Sequence, residues 1–360
     1  MARPPIRFAV VGLGDIAQRA VLPAFAHARA RASLAALVSG EPKKRGVLGR
    51  RFKDVITCGY DDYDDLLASG SVDAVYIALP NQMHRDFALR ALNANVHVLC
   101  EKPLATTVAD ARELTRAAER SGNQFMVAYR LHFDPATLRA IDLARDRRAG
   151  DLRIFASVFS SPVERGDIRL ERKGRGGLFD LGIYCVNAAR MVFRSEPLEV
   201  VAMHAGQGTG RFREVPEMTA ALLRYPGDRL AMFVCSLNAF RGSSWTAVAM
   251  KRLVRMEPAY SYHDPLVVHL RSDTVTRTNR YAIHDQFAAE LDHFVARIRS
   301  GRKTEPSVRE GEADIHILDA IDRSARSGRR VRLRRIPRDA HPTRREAKSH
   351  PAVGTVRMVK

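Results

Sequence analysis

One stretch near the N-terminus constrains the architecture more than any other. Residues 6–12 (IRFAVVG) are a short apolar run ending in glycine, and the turn reads Gly12-Leu13-Gly14-Asp15-Ile16-Ala17. A helical pattern follows from Ile16 to about residue 29. In this GxGxxA order the first glycine permits a tight turn. The second lets the backbone approach a pyrophosphate, and the small Ala17 lets helix pack on strand. Free N–H groups and a partial positive charge at the helix start then face the phosphates. A glycine-rich turn alone can be only a turn, but strand before and helix after give it the context of a dinucleotide site.

The stretches that follow repeat the alternation. Leu34–Ser39, Val72–Ala78, Val96–Cys100 and Phe125–Tyr129 read as buried strands, with helices at His84–Asn93 and Val108–Ser121. Apolar strands alternating with helices predict a parallel sheet covered on both faces. After a helix at about 135–148 the pattern changes. Residues 152–161 alternate like a strand, and a helix is expected from about Leu178 to Phe193. Strand-like stretches at 197–205, 217–225, 229–240, 244–257 and 264–270 then follow without long helices, which predicts a largely antiparallel sheet. Helices at about 284–299 and 307–327 close the globular part. The predicted fold is therefore α/β, with a dinucleotide-binding domain over 1–130, a second domain over 131–333 and a basic tail over 334–360.

With 360 residues the chain suits two domains. No apolar run approaches the roughly 18 residues of a membrane span, and no export signal is read at the N-terminus. The four cysteines (Cys58, Cys100, Cys185 and Cys235) have neither metal spacing nor a disulfide pattern. A cytoplasmic protein with no metal is expected. The net charge of +19 invites a nucleic-acid reading. Yet residues 329–360 alone hold eleven Lys/Arg against two acids, and no helix-turn-helix, zinc-finger or aromatic RNA-binding pattern is found. The tail carries Pro337, Pro342 and Pro351 with little apolar periodicity, so it is expected to be disordered.

Three loops at strand ends carry the candidate chemistry. Strands preferring NAD usually end in Asp or Glu, which binds the ribose 2′-hydroxyl. Here Ser39-Gly40 is followed by Glu41, Pro42, Lys43, Lys44 and Arg45. A hydroxyl, a flexible backbone and clustered cations suit the 2′-phosphate of NADP. The bases alternatively form a solvated loop, and Glu41 is a counter-signal that would suit use of both cofactors. Ala78-Leu79-Pro80-Asn81-Gln82-Met83-His84 and Cys100-Glu101-Lys102-Pro103 lie where such sheets bind ligands. Lys102 can bind a substrate hydroxyl and stabilise alkoxide charge; the alternative is a surface lysine in a turn set by Pro103. Asp180 and Tyr184, four apart on a predicted helix, share a face. The bland account is a helix cap and a core tyrosine.

With these residues in view, the chain resembles the glucose–fructose oxidoreductase-like branch of the Gfo/Idh/MocA oxidoreductases. The resemblance runs from Ile6 to about Leu333 and rests on GLGDIA, LVSG, YIALPNQMH, EKPLATT, VAYRLHFDP and GLFDLGIYCVNAARMVF, with HDQFAAELDHF and EGEADIHILDAIDRSARSGRRV near the C-terminus. It implies a Rossmann domain followed by an α/β domain with an open-faced, mostly antiparallel sheet that serves as a dimer or tetramer interface. It implies NADP (NAD as the other possibility) held by Gly12, Leu13, Gly14, Asp15, Ile16, Ala78, Leu79, Pro80, Asn81, His84, Glu101, Lys102 and Arg130. Ser39, Gly40 and Lys44 would lie near the 2′-phosphate and Tyr60 near the adenine. Lys102, Asp180 and Tyr184 are implied at the reacting centre, with Arg130 and Arg169 as substrate contacts. The expected activity is hydride transfer between the nicotinamide and a sugar or related polyol, Tyr184 taking the proton with help from Lys102. Two rivals remain: a transhydrogenase between two sugars that retains its cofactor, and a non-catalytic cofactor-sensing regulator. Residues 169–180 are about two shorter than the family's approach to this helix, with Arg175 where glycine is usual. VAMKRL (248–253) lacks the usual turn glycines.

Overall fold

The computed structural model describes residues 4–359 except 29, 209, 337 and 339. Residue 29, where the first helix is expected to end, and residues 337 and 339 of the tail lie outside the described residues.

The first half alternates as expected. Strands β1 (Ile6–Val11), β2 (Ala32–Val38), β3 (Ile56–Cys58), β4 (Ala74–Ile77), β5 (His97–Glu101) and β6 (Phe125–Ala128) form one parallel sheet in the order β3-β2-β1-β4-β5-β6. Helices α1 (Leu22–Ala28), α2 (Pro42–Arg51), α3 (Tyr63–Ala68), α4 (His84–Asn93) and α5 (Val108–Ser121) make the connections, with a wider π-type turn over Ala17–Val21 leading into α1. Every residue of β4 is buried, as a central parallel strand requires. α5 starts where the Thr107 hydroxyl accepts from the Asp110 N–H and ends at Gly122 in the left-handed conformation. Because β1 is flanked by β2 and β4, strand order reverses beside the glycine turn. A crevice opens at such a switch point, outside the carboxyl ends of the strands.

The second sheet is larger. α6 (Pro135–Ala144) precedes β7 (Leu152–Ser160), α7 (Ile183–Phe193), β8 (Glu199–Ala205), β9 (Met218–Tyr225), β10 (Arg229–Ser236), β11 (Gly242–Ala249), β12 (Arg252–Met256), β13 (Leu266–Ser272) and β14 (Thr276–Tyr281). α8 (Gln286–Ser300), α9 (Val308–Ser327) and β15 (Val331–Arg332) follow. Among the described residues this sheet runs β14-β13-β12-β11-β7-β10-β9-β8-β15, antiparallel except for the β7–β10 pair. α6, α7 and α9 pack on one face. The other face leaves Ile154, Val158, Val201, Met203, Leu222, Met232 and Val234 exposed on neighbouring strands, an apolar patch of the kind that marks an interface.

Several expectations change in detail. The stretch 244–257 is two strands, β11 and β12, joined by a tight turn at Met250-Lys251 rather than by the usual glycines. The basic run after Ser39 is the first turn of helix α2, with Pro42 at its start, rather than a loop. The tail is not detached. Arg338 is buried against Glu310, Phe133 O accepts from Lys348 N at 3.1 Å, and His350 O accepts from Asp285 N at 3.2 Å. The Val359 N–H donates to Gln18 Oε1 at 2.8 Å. Apolar periodicity did not reveal this segment because charged and backbone groups make most of its contacts.

Candidate active site

The glycine turn has the form its sequence requires. Gly12 sits at φ +94°, and a Cβ there would meet Ala78 O at 2.4 Å. A Cβ at Gly14 would meet nothing within 4 Å, so its backbone stands open to the crevice. The π-type turn begins at the fully buried Ala17. Leu13 is buried, while Asp15 points outward and pairs with Arg19 at 2.6 Å.

At the end of β2 the Ser39 hydroxyl accepts from Glu41 N at 3.2 Å, and Arg45 donates to Ser39 O. Lys44 Nζ lies 2.6 Å from Glu41 Oε1, so the counter-signal carboxylate is occupied by the neighbouring cation. A Cβ on Gly40 would come within 2.9 Å of the Tyr60 ring, which explains why this position is glycine. The Tyr60 ring is braced edge-on by Phe87 at 5.1 Å. Ser39, Gly40, Lys44 and Tyr60 are thus gathered beside the N-terminus of α2, where an anion is favoured. The open Gly14, this helix start and the Ser39–Lys44 group fit a dinucleotide with a phosphate on its adenosine ribose.

The next two loops are tied together from below. His84 is fully buried, with Nδ1 2.7 Å from Pro103 O and Nε2 2.8 Å from Leu79 O. Both ring nitrogens face carbonyls beneath the crevice; burial lowers the His84 pKa, and the neutral ring donates to one of the two. Asn81 Nδ2 donates to Gly174 O at 2.9 Å, tying the first domain to the loop before Asp180. Ala78 and Leu79 are buried, and Pro80 is partly exposed. The Lys102–Pro103 peptide is cis.

The reacting centre assembles across the domains. Lys102 Nζ donates to Asp180 Oδ1 at 2.8 Å and to Asp180 O at 3.1 Å, and stands 4.9 Å from the centre of the Tyr184 ring. Burial opposes the Lys102 charge, but Asp180 and the Tyr184 oxygen outweigh it and hold its pKa above the ordinary value. Burial likewise opposes the Asp180 charge, yet Lys102 and Arg169 keep its pKa low. Arg169 Nη1 lies 3.6 Å from Asp180 Oδ2 and also pairs with Asp167 at 2.7 Å. Asp180 and Tyr184 share a face as expected, although Asp180 lies in the π-type turn Leu178–Gly182 that leads into α7.

Arg130 is the cation that reaches the phenol. Its Nη2 is 3.5 Å from Tyr184 Oη and donates to Tyr260 O at 2.6 Å, while Nη1 donates to Gln286 Oε1. Tyr184 rests against Phe159 and Tyr260, each with ring centres 5.5 Å away. Sequence reasoning missed Gln286, Tyr260 and Glu290, which come from the far end of the chain. The motif HDQFAAELDHF contained two of them, but nothing local revealed that they meet Arg130 or the Glu101 loop.

A crevice between a dinucleotide-binding sheet and a second α/β domain, with a lysine, a carboxylate and a tyrosine converging on it, defines a nicotinamide-dependent oxidoreductase architecture. Residues 6–129 match the oxidoreductase family with an NAD-binding Rossmann fold, and residues 137–252 match the GFO/IDH/MocA C-terminal domain. The aldose-aldose oxidoreductase from Caulobacter crescentus, solved with glycerol, is 33% identical, with a TM-score of 0.87 over 91% of this chain and 100% of that one. A 3-ketoreductase from Actinomadura kijaniata, solved with NADP and TDP-benzene, is 27% identical, with a TM-score of 0.81 over 89% of this chain and 98% of that one. The NADP-dependent D-xylose 1-dehydrogenase of Haloarcula marismortui is 27% identical over 91% of this chain and 93% of its own length. The chain belongs to the GFO/IDH/MocA oxidoreductase family.

Proposed function

We propose that this protein is an NADP-dependent oxidoreductase acting on a CH–OH group, or the corresponding carbonyl, of a sugar or related polyol. The observation that carries the reading is the convergence of Lys102, Asp180, Tyr184 and Arg130 at the crevice. When bound, the cofactor supplies a nicotinamide ring that accepts or gives hydride. Gly12 to Ile16 would hold its pyrophosphate, and Ser39, Gly40 and Lys44 its ribose phosphate. The protein's own part is the proton. Arg130 Nη2 stands 3.5 Å from Tyr184 Oη, which places a fixed cation beside the oxygen that would handle the proton. Tyr184 would remove the substrate hydroxyl proton in oxidation and return it in reduction. Lys102 would bind the same substrate oxygen and stabilise its negative charge, and Asp180 and Arg169 would orient the remaining hydroxyls.

A D-xylose 1-dehydrogenase, a dTDP-3,4-didehydro-2,6-dideoxy-alpha-D-glucose 3-reductase and an aldose-aldose oxidoreductase among the relatives support this substrate class. The test is a panel of sugars and polyols with NADP and with NAD, followed by nicotinamide absorbance. No turnover with any sugar in either direction would reject the reading.

A second reading is supported by the likeness to the aldose-aldose oxidoreductase. In it the cofactor stays bound while one sugar is oxidised and another reduced. Purified protein would then carry nicotinamide absorbance and turn over paired sugars without added cofactor. We further infer that the exposed apolar face around Met203, Met232 and Val158 pairs copies of the chain into a dimer or tetramer. Light scattering on the purified protein checks this.

A further inference from the structure

Below the reacting centre lies a second group of ionisable side chains that the proposed chemistry does not use. Tyr76, on β4, is fully buried, and its hydroxyl stands between two carboxyls. Glu101 Oε1, at the end of β5, is 2.9 Å away, and Glu290 Oε2, on α8, is 3.4 Å away.

The arrangement fixes where the protons are. A phenolic hydroxyl has one proton to donate, and an ionised carboxylate can only accept. Tyr76 can therefore serve one carboxylate, the nearer Glu101, and the longer 3.4 Å approach to Glu290 is a hydrogen bond only where that carboxyl is the donor. Glu290 is fully buried, its Oε1 has no hydrogen-bond partner, and it forms no ion pair among the described residues. A buried carboxyl without a cation is neutral rather than charged. Burial raises the Glu101 carboxyl as well, but Lys102, Tyr76 and Arg130 oppose that rise, whereas at Glu290 the neighbouring Glu101 adds to it, so of the two Glu290 is the one that keeps the proton. Charged or titratable groups facing the pair are Lys102 beside Glu101, Arg130 from the loop after β6, Asp285 at the start of α8 and Tyr76 itself. The Arg130 guanidinium is taken up by Gln286, Tyr260 O and Tyr184. Burial first, then the charge of Glu101, hold the Glu290 carboxyl well above the usual range.

We propose that Glu290 is a positioning residue: as a neutral acid it donates to Tyr76, which donates to Glu101, and this chain fixes the Glu101 carboxylate beside Lys102 for the cofactor. Glu101 is thereby held as an anion in one orientation, with its second oxygen left for a hydroxyl of the bound dinucleotide. The inference rests on the reading of Glu101 as a cofactor contact.

The test measures NADP affinity by calorimetry at pH 7 on wild-type protein, Glu290→Gln, Glu290→Met and Tyr76→Phe, with folding followed by circular dichroism. Glutamine can donate to Tyr76 but cannot ionise, and methionine fills similar space without donating. Glu290→Gln is expected to bind within about twofold of wild type, as the donated hydrogen bond survives. Glu290→Met and Tyr76→Phe are expected to bind about tenfold more weakly, the size of one lost hydrogen bond to a charged group. Equal weakening in Gln and Met variants would mean that Glu290 acts as an anion and would overturn the proposal. Wild-type affinity in Glu290→Met or Tyr76→Phe would overturn it as a matter of mere packing. Infrared difference spectra add a readout that needs neither cofactor nor substrate. Wild type is expected to show a protonated-carboxyl band at pH 7 that Glu290→Gln removes, and its absence would also reject the proton assignment. Glu101→Gln in the same assay tests the cofactor reading separately: wild-type affinity in that variant rejects Glu101 as a cofactor contact, whereas weakened binding there with wild-type affinity in Glu290→Met rejects the role of Glu290.

Discussion

Lys102 Nζ and Asp180 Oδ1 lie 2.8 Å apart, joining the end of a strand in the first domain to the turn before a helix in the second. The pair is partly buried and hydrogen-bonded, so each group keeps the other charged. In Lys102→Ala the Asp180 carboxylate keeps only the more distant Arg169, and the site loses its donor to substrate oxygen. Turnover with the best sugar is expected to fall about 10²–10⁴-fold, the range for loss of a positioned acid–base or charge-stabilising group. NADP affinity is expected to change little, because the phosphate cradle is elsewhere. Steady-state kinetics and equilibrium binding on the same preparation check both halves.

Tyr184→Phe removes only the hydroxyl 3.5 Å from Arg130 and leaves the ring packed on Phe159 and Tyr260. If the phenol carries the proton, turnover should fall at least about 10²-fold with an unchanged melting temperature. Restoration of rate by neither higher pH nor more substrate would mark the loss as chemical. A variant as active as wild type would transfer the proton role to another group.

If Lys44 binds the 2′-phosphate, as proposed, the Glu41–Lys44 pair sets the choice between NADP and NAD. At 2.6 Å, Glu41 holds the cation that a 2′-phosphate would need. The pair is exposed on the Glu41 side, so its own strength is at most about 1 kcal/mol. Glu41→Gln frees Lys44 and removes a like charge from the phosphate site. The ratio of kcat/KM for NADP over NAD is expected to rise several-fold, and Lys44→Ala to lower it by about tenfold, roughly one charge-assisted hydrogen bond. Initial rates with each cofactor at saturating sugar decide the matter.

How much of this was legible in sequence depended on whether the controlling interaction was local. The glycine turn was readable because Gly12 is dictated by its own φ and by the nearby strand end. The bounds of α4 and α5 agree with the sequence reading because local signals set them: apolar spacing in both, and in α5 the Thr107 cap and the left-handed Gly122. α2 was not readable: only Leu48 is buried in PKKRGVLGRR, so it has no apolar stripe. β14 was missed for a similar reason, since TRTNRY has no buried residue. In the site, Asp180 and Tyr184 could be paired from helical spacing, whereas Arg130 and Gln286 meet only through tertiary packing. His84 looked like a crevice residue because its loop is one. Its inward direction follows from two carbonyls on separate segments, which no spacing encodes.

His293 predicts the acid limit of the fold. It is buried against Phe133, and its Nε2 accepts from Arg297 Nε at 3.1 Å, which requires the neutral ring. Burial, reinforced by Arg297, holds its pKa down at about 3. In the unfolded chain an imidazole titrates near 6.5. Between these values the unfolded state binds more protons, so stability falls as pH drops from about 6.5 toward 3, by at most about 5 kcal/mol for one group. His293→Gln keeps an acceptor for Arg297 but cannot take the proton. Urea midpoints are expected to differ little at pH 7.5, and at pH 4.5 the variant should be the more stable. The opposite order at pH 4.5 would show that His293 is not a source of acid sensitivity.

The tail gives the last prediction, because its contacts reach both domains. Arg338 meets Glu310 under α7, Lys348 N reaches Phe133 O, His350 Nε2 is 3.0 Å from Asp292 Oδ2, and Val359 N reaches Gln18 beside the glycine turn. A chain ending at Leu333 loses all of these and leaves Glu310 with one buried arginine, Arg190, instead of two. A loss of about 2–3 kcal/mol is expected, lowering the melting temperature by roughly 3–4 °C. None of the described residues among those deleted bonds to Lys102, Asp180 or Tyr184, so turnover below the new melting temperature should stay within about twofold, as expected for changes away from the chemistry. Differential scanning calorimetry and a sugar assay on the shortened chain test this together. An unchanged melting temperature would mean that the tail's contacts add nothing to stability. Lost turnover in a folded, shortened chain would place the tail in the site itself.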